Sequence, residues 1–133
     1  MKILCIIEAT TVTGPAKNLL NFCRLVQSPE FAINGELVEV SIVTFHRGEE
    51  SETAPNAFVA AARERGVKVD VITERFRFDP SVIKQLRKTV ARRAPDMIQT
   101  HGVKSHFLVR ASGLLRRHRW IAYHHGYTAT DLK

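Results

Sequence analysis

Three short segments of this 133-residue chain carry residue types able to do chemistry. Thr100-His101-Gly102 and Tyr123-His124-His125-Gly126 each end an apolar run with histidine followed by glycine, and Thr13-Gly14-Pro15 follows the apolar run Ile3 to Ile7. An imidazole titrates near neutral pH, so it can hydrogen-bond a hydroxyl or a phosphate, or carry a proton between reacting groups. A glycine beside it lets backbone and ligand approach closely. His124 and His125 are adjacent and point to opposite faces of an extended strand; His125, next to Gly126, is the one expected to face a ligand. Gly14, at a strand-to-helix turn, exposes backbone N–H groups to an anion, helped by the helix dipole. Pro15 removes one of those donors, and no G-x-G-x-x-G accompanies the turn, which argues against dinucleotide binding of the dehydrogenase type. Glu8 ends the first strand and faces either the same crevice or a nearby cation. No serine, cysteine or carboxylate stands in a recognisable nucleophile setting. The histidines lack metal-ligand spacing, so no metal is expected.

The elements that must position these residues follow from periodicity. Lys2 to Glu8 reads as a strand buried on both faces. Pro15 suits the first turn of a helix, and Leu19, Leu20, Cys23 and Val26 repeat at helical spacing behind it. Leu37 to Thr44 reads as a second strand. A helix from about Pro55 carries Phe58, Val59 and Ala62 and stops at Gly66. Val67 to Ile72 is a third strand. Asp79-Pro80 starts a helix whose stripe is Val82, Ile83, Leu86 and Val90. Met97 to Thr100 is a fourth strand, and a helix over 103–117 is expected to bury Val103, Phe107, Leu108, Ala111, Leu114 and Leu115. Trp120 to Tyr123 is a fifth, buried strand. Strands alternating with helices argue a parallel sheet with right-handed crossovers. In the usual doubly wound order the first and fourth strands are neighbours and the switch point lies between them. The Gly14, His101 and His125 loops then share one rim.

Composition bounds the rest. The chain is one domain by length, with 44% hydrophobic and 25% charged residues, as in soluble globular domains. The apolar run near the start is too short for a membrane span or a signal sequence. Cys5 and Cys23 are expected to be reduced core thiols of a cytoplasmic protein. The net charge of +7 is uneven: residues 80–119 carry ten Lys/Arg and one acid, Asp96. The two helices in this stretch are expected on one face, making a basic flank of Arg87, Lys88, Arg92, Arg93, Lys104, Arg110, Arg116, Arg117 and Arg119. Such a flank suits an anionic partner: membrane headgroups, glycolipid or, least well, nucleic acid. Aromatics interleaved for base stacking are missing, so no nucleic acid is expected.

Taken together, the segments resemble the N-terminal domain of a family 4 glycosyltransferase with the GT-B fold. The resemblance spans essentially residues 1–133. It rests on Met1 to Glu8, the run from Thr13-Gly14-Pro15 through Leu20, and Gly66-Val67-Lys68-Val69. It continues through Pro95-Asp96-Met97-Ile98-Gln99-Thr100-His101-Gly102 and Tyr123-His124-His125-Gly126. It implies a Rossmann-like open parallel sheet of about five strands flanked by helices, the N-terminal, acceptor-side half of a two-domain enzyme. Such enzymes transfer a sugar from a nucleotide-sugar co-substrate, with retention and without a bound metal or other cofactor, to an acceptor such as a glycan or lipid-linked glycan. By the resemblance Gly14 matches the second glycine of a loop near donor phosphate and acceptor. His101 lines the same cleft, and His125 lies at the reacting centre as the catalytic residue. Lys17, Gly102 and Gly126 complete the expected substrate- or donor-phosphate-binding set. Thr13 stands where the family has its first glycine, and Ala16 where it often has glutamate. The nucleotide-sugar domain is expected to be absent from this stretch, and the chain alone to be catalytically silent. The implied setting is cytoplasmic, peripheral at the inner membrane surface. A GT-B sugar-nucleotide epimerase has the same two-domain need, and a stand-alone flavodoxin-like module for a small anion is the alternative of a different class.

Overall fold

The alternation of strands and helices is present in a computed structural model, which describes residues 1–12, 14–47, 56–76 and 79–123. In chain order the elements are β1 (Lys2–Ile7), α1 (Pro15–Val26), β2 (Glu39–Arg47), α2 (Ala57–Glu64), β3 (Lys68–Glu74), α3 (Ser81–Arg93), β4 (Met97–His101), α4 (Val103–Ser112) and β5 (Arg119–Tyr123). Short 3₁₀ turns at Pro29–Phe31 and Leu114–Arg116 follow α1 and α4. The five strands form one parallel sheet in the order β3-β2-β1-β4-β5. β1 is central, and the chain winds outward from it in both directions. The fold is an open α/β sheet of Rossmann-like type, with the switch point between β1 and β4.

Both faces of β1 are buried because successive side chains feed two different cores. Ile3, Cys5 and Ile7 join Val40 and Ile42 of β2 beneath α1 (Leu19, Leu20, Cys23) and α2 (Phe58, Val59, Ala62). Leu4 and Ile6 join Val43, Phe45, Ile72 and Ile98 beneath α3 (Val82, Leu86, Val90) and α4 (Leu108, Val109). α3 and α4 thus share a face, as right-handed crossovers require. Cys5 and Cys23 are free and buried. Their mutual hydrogen bonding, together with burial, pushes the Cys5 thiol up from its ordinary range.

The helix ends follow the sequence signals closely. Pro15 opens α1, the Asn56 side chain accepts from Val59 N at 2.9 Å to cap α2, and Val67 N reaches back to Ala62 O across Gly66. Asp79 is buried; its Oδ1 accepts from Ser81 N at 2.9 Å, and its Oδ2 accepts from the Arg75 backbone N–H at 3.0 Å. Gln85 clasps the β3 edge strand, accepting from Thr73 N and donating to Thr73 O.

Two expectations fail in the last third. The helix after β4 ends at Ser112 rather than running to residue 117, because Gly113 turns left-handed there with φ 76°. α4 is also rotated: Val103 and Phe107 are 75% and 62% exposed, and the buried face is Ser105, Leu108, Val109 and Ser112. A hydrogen-bond relay fixes that rotation. Trp120 Nε1 donates to Thr100 Oγ1 at 2.7 Å, and Thr100 Oγ1 lies 2.5 Å from His106 Nδ1. Indole N–H can only donate, so Thr100 Oγ1 accepts from Trp120, and the same hydroxyl is hydrogen-bonded to His106 Nδ1. The other failure concerns β5, which is half-covered rather than buried. Trp120 packs toward α4, whereas Ile121 and Tyr123 remain more than a third exposed on the opposite face. Among the described residues no helix is long and apolar enough to cross a membrane.

The Asp79 cap has a pH signature. The Arg75 guanidinium, opposed by burial and aided by the backbone N–H groups, holds the Asp79 carboxyl well below the usual carboxylate range. A carboxyl lowered in the folded state stabilises the protein above its unfolded pKa of about 4 and loses that contribution as the pH falls further. Asp79→Asn keeps the capping oxygen but removes the charge. Urea midpoints of the two proteins should therefore differ most near neutrality and converge below about pH 4; a gap that persists undiminished in acid contradicts the charge-based cap.

Candidate functional site

At the carboxyl ends of β1 and β4 the chain leaves in opposite directions, to α1 on one face and α4 on the other. A crevice of about 370 Å³ opens between them, lined by Ile7, Glu8, Ala9, Thr10, Thr11, Pro15, Ala16, His101 and Gly102. The β1–β4 register makes it, since Ile7 is paired with His101 and the two chains diverge at the next residue. The loop after β1 is tethered at its far side, where Phe58 N donates to Thr10 O at 3.3 Å. Gly14 and Gly102, the residues that open α1 and α4, have φ of 50° and 92°. Gly102, with ψ 160°, lies where essentially only glycine is found. Both helices direct their first turns toward this end of the sheet, and neither first turn contains an acid.

His101 and Gly102 line the crevice as the sequence implies, and Gly14 adjoins it through Pro15 and Ala16. Lys17 is exposed on the first turn of α1 and is not among the lining residues. His101 is only 7% exposed; its ring stacks flat on Tyr123, its β5 register partner, with centroids 5.0 Å apart and an interplanar angle of 4°. Gly102 N donates to Tyr123 O at 3.4 Å, so β5 supports the His101 wall from outside. Thr13, His124, His125 and Gly126 lie outside the described residues.

The pairing of Glu8 with a nearby cation, which the sequence allows, is part of an ionic cluster beside the crevice whose other members, Lys104 and Glu74, the sequence reading did not name. Lys104 Nζ, in the first turn of α4, lies 2.5 Å from Glu8 Oε2 and 2.7 Å from Glu74 Oε2, with the Phe45 ring centroid at 4.9 Å. Burial works against this ammonium, but Glu74 and Glu8 more than offset it and hold its pKa above the ordinary lysine range. A cation in the first turn opposes the helix dipole; the two carboxylates supply the negative charge that this N-terminus lacks. The signal in the sequence was positional. Glu8 follows β1, Glu74 ends β3, Lys104 lies in the first turn of α4, and all three must meet at the same edge of a parallel sheet.

The basic flank is less uniform than its composition. Arg92 and Arg93 both bind Asp70 of β3, with N–O distances of 2.5 and 2.7 Å, and Arg87 Nε donates to Ser112 O at 2.8 Å. The acids absent from residues 80–119 arrive from β1 and β3 through sheet pairing and crossover. Lys88, Arg110, Arg116, Arg117 and Arg119 remain exposed. Arg110 borders a shallow groove with Val103, His106, Phe107 and Ala111 on the outer face of α4.

No family model and no curated protein matches the sequence. Among solved structures the chain is similar to the UDP-GlcNAc 2-epimerase of Neisseria meningitidis, determined bound to UDP-GlcNAc. The TM-score is 0.56 at 10% identity, over 99% of this chain and 34% of that one. The chain therefore spans about a third of the length of that protein, and what the two share at this identity is the fold.

Replacing Gly102 tests how far the crevice depends on backbone geometry. A Cβ at Gly102 meets nothing within 4 Å, so Gly102→Ala isolates the conformational cost. It should destabilise the fold by about 1–3 kcal/mol and shift the amide resonances of Thr10 and Thr11 across the crevice. Unchanged stability would mean that the β4–α4 turn is free to relax.

Proposed function

We propose that residues 1–133 form the acceptor-side half of a two-domain nucleotide-sugar enzyme, a retaining glycosyltransferase acting on a glycan or lipid-linked glycan. The observation that carries this reading is the crevice at the β1/β4 switch point, where open α/β sheets bind their ligands. It brings His101, Gly102 and the Gly14-led first turn of α1 to one rim. The likeness of fold to a nucleotide-sugar enzyme supports it, as do the matched segments described above.

In such a transfer the bond from the anomeric carbon to the diphosphate oxygen breaks. A bond to an acceptor hydroxyl oxygen forms, and the hydroxyl proton leaves with the departing diphosphate. Gly14 and the first-turn amides of α1 would face the diphosphate and favour its negative charge. His101, immobilised against Tyr123, would form a fixed wall for the acceptor, and His125 retains its assignment at the reacting centre. A second domain would supply most of the donor site, so the 133 residues alone would not turn over. An epimerase acting on a nucleotide sugar is the second reading, favoured by the UDP-GlcNAc 2-epimerase likeness. Formation of an epimer without any acceptor, by a two-domain protein containing this chain, would select it.

The first test is an amide-resolved NMR titration with UDP-GlcNAc. Thr10, Thr11, Ala16 and Gly102 should shift, and His101→Ala should weaken the effect about tenfold. Shifts confined to other surfaces, or sugar transfer by the 133-residue chain itself above a blank, would count against the proposal.

The outer face of α4 fits an anionic lipid surface. Val103 and Phe107 are exposed at i, i+4 spacing, Arg110 lies beside them, and Arg116 and Arg117 follow on the same connection. Vesicles containing phosphatidylglycerol should sediment the protein at low ionic strength and release it at about 0.5 M salt, and Phe107→Ser should weaken that binding. Equal binding to neutral phosphatidylcholine vesicles would dismiss the electrostatic contribution.

A further inference from the structure

We infer that Glu8, held in place by Lys104, is a ligand-binding carboxylate that selects a neutral, polyhydroxylated group over a phosphate at the β1 end of the crevice. This rests on the crevice being the ligand site proposed above.

Glu8 follows Ile7, the last residue of β1. Alternation along the strand sends the Ile7 side chain toward α1 and turns that of Glu8 toward Lys104 on the opposite face. The Glu8 side chain nevertheless stays 55% exposed and lines the crevice, so one edge of the carboxylate is fixed and the other is open to a ligand. An ionised carboxylate offers about four acceptor sites. Lys104 engages one oxygen, and the remaining capacity suits hydroxyl donors.

Among the described residues the charge balance disfavours a phosphate at this end. Lys104 pairs with Glu8 but is already shared between two carboxylates, with Glu74 6% exposed. The cluster of Glu8, Lys104 and Glu74 has a net charge of −1. Among the described lining residues Glu8 is the only acid or base other than His101. Thr10 and Thr11, both lining residues, bring hydroxyls that can donate to or accept from a sugar ring. Ile7, Ala9 and Ala16 give that ring apolar surface. The helix end at Gly14 favours negative charge on the α1 side, so the crevice is bipolar: α1 amides on one side, the Glu8 carboxylate on the other.

Lys104 acts here as a positioning residue. Glu74 and the Phe45 ring anchor it independently of Glu8, so removing the Glu8 charge leaves Lys104 in place. Glu8→Gln is accordingly a mild change to the fold and a direct one to the site.

The test titrates N-acetylglucosamine and uridine diphosphate separately into the intact 133-residue chain, following amide resonances. N-acetylglucosamine should shift Glu8, Ala9, Thr10 and Thr11. Glu8→Gln should weaken its binding about tenfold while leaving uridine diphosphate unchanged or bound more tightly. Lys104→Met should also weaken sugar binding, and Lys104→Arg should restore most of it, a rescue that loss of packing alone would not produce. Glu8→Gln weakening both ligands alike, or neither, overturns the inference. So does uridine diphosphate shifting the crevice while the sugar does not, an outcome that leaves the crevice itself intact as a ligand site. Silence of every crevice amide toward both ligands sinks the inference and the proposed function together.

Discussion

Everything at the candidate site depends on β1 being paired on both edges, to β2 and to β4, in parallel. A strand so placed must be apolar on both faces, and Ile3 through Ile7 meet that demand with Cys5 as the one thiol. Because its two neighbours are reached by crossovers of opposite direction, the helices leaving β1 and β4 lie on opposite faces. The gap between their first turns is therefore a consequence of winding, and no side chain has to hold it open. Ile7 opposite His101 is the last paired position, and the residues just beyond it line the crevice.

Charge is distributed by the same geometry. Parallel strands bring all their carboxyl ends to one edge, so residues far apart in the chain become neighbours there. Glu8 and Glu74 converge on Lys104 in this way. At the opposite end of α3, Arg92 and Arg93 converge on Asp70. These pairings convert a segment that is strongly cationic by composition into a surface with local neutral zones. The exposed cations that remain lie on α3 (Lys84, Lys88), on α4 (Arg110), in the turn after it (Arg116, Arg117) and at the start of β5 (Arg119). The cluster at the crevice is the more consequential of the two, because it sets the sign of the charge at the β1 end of the crevice.

The outer edge of the sheet shows how a small polar relay overrides helical periodicity. Val103, Phe107 and Ala111 form a better apolar stripe than Ser105, Leu108, Val109 and Ser112, yet the second set faces the sheet. Small serines permit close approach, and the Trp120–Thr100–His106 relay requires α4 to present His106 inward. A part-buried indole N–H and a buried hydroxyl left without partners would cost more than the exposure of one phenylalanine and one valine. The same choice leaves an apolar stripe facing outward beside Arg110.

Much of this was legible in the chain itself. The order and type of every strand and α-helix, though not the two 3₁₀ turns, followed from apolar periodicity and from punctuation by Pro15, Gly66 and Asp79-Pro80, because those signals are local and their physics acts over a few residues. The switch point between the first and fourth strands, and the presence of His101 and Gly102 on its rim, followed from topology rules that need only the element order. The rotation of α4, the half-covered state of β5 and the clamping of Glu8 by Lys104 were not legible. Each depends on contacts between residues 20 to 96 positions apart, which no window of sequence contains. Local propensity thus determined what the segments are. Tertiary pairing decided which of their faces are buried, which charges cancel, and that the crevice ends in a carboxylate.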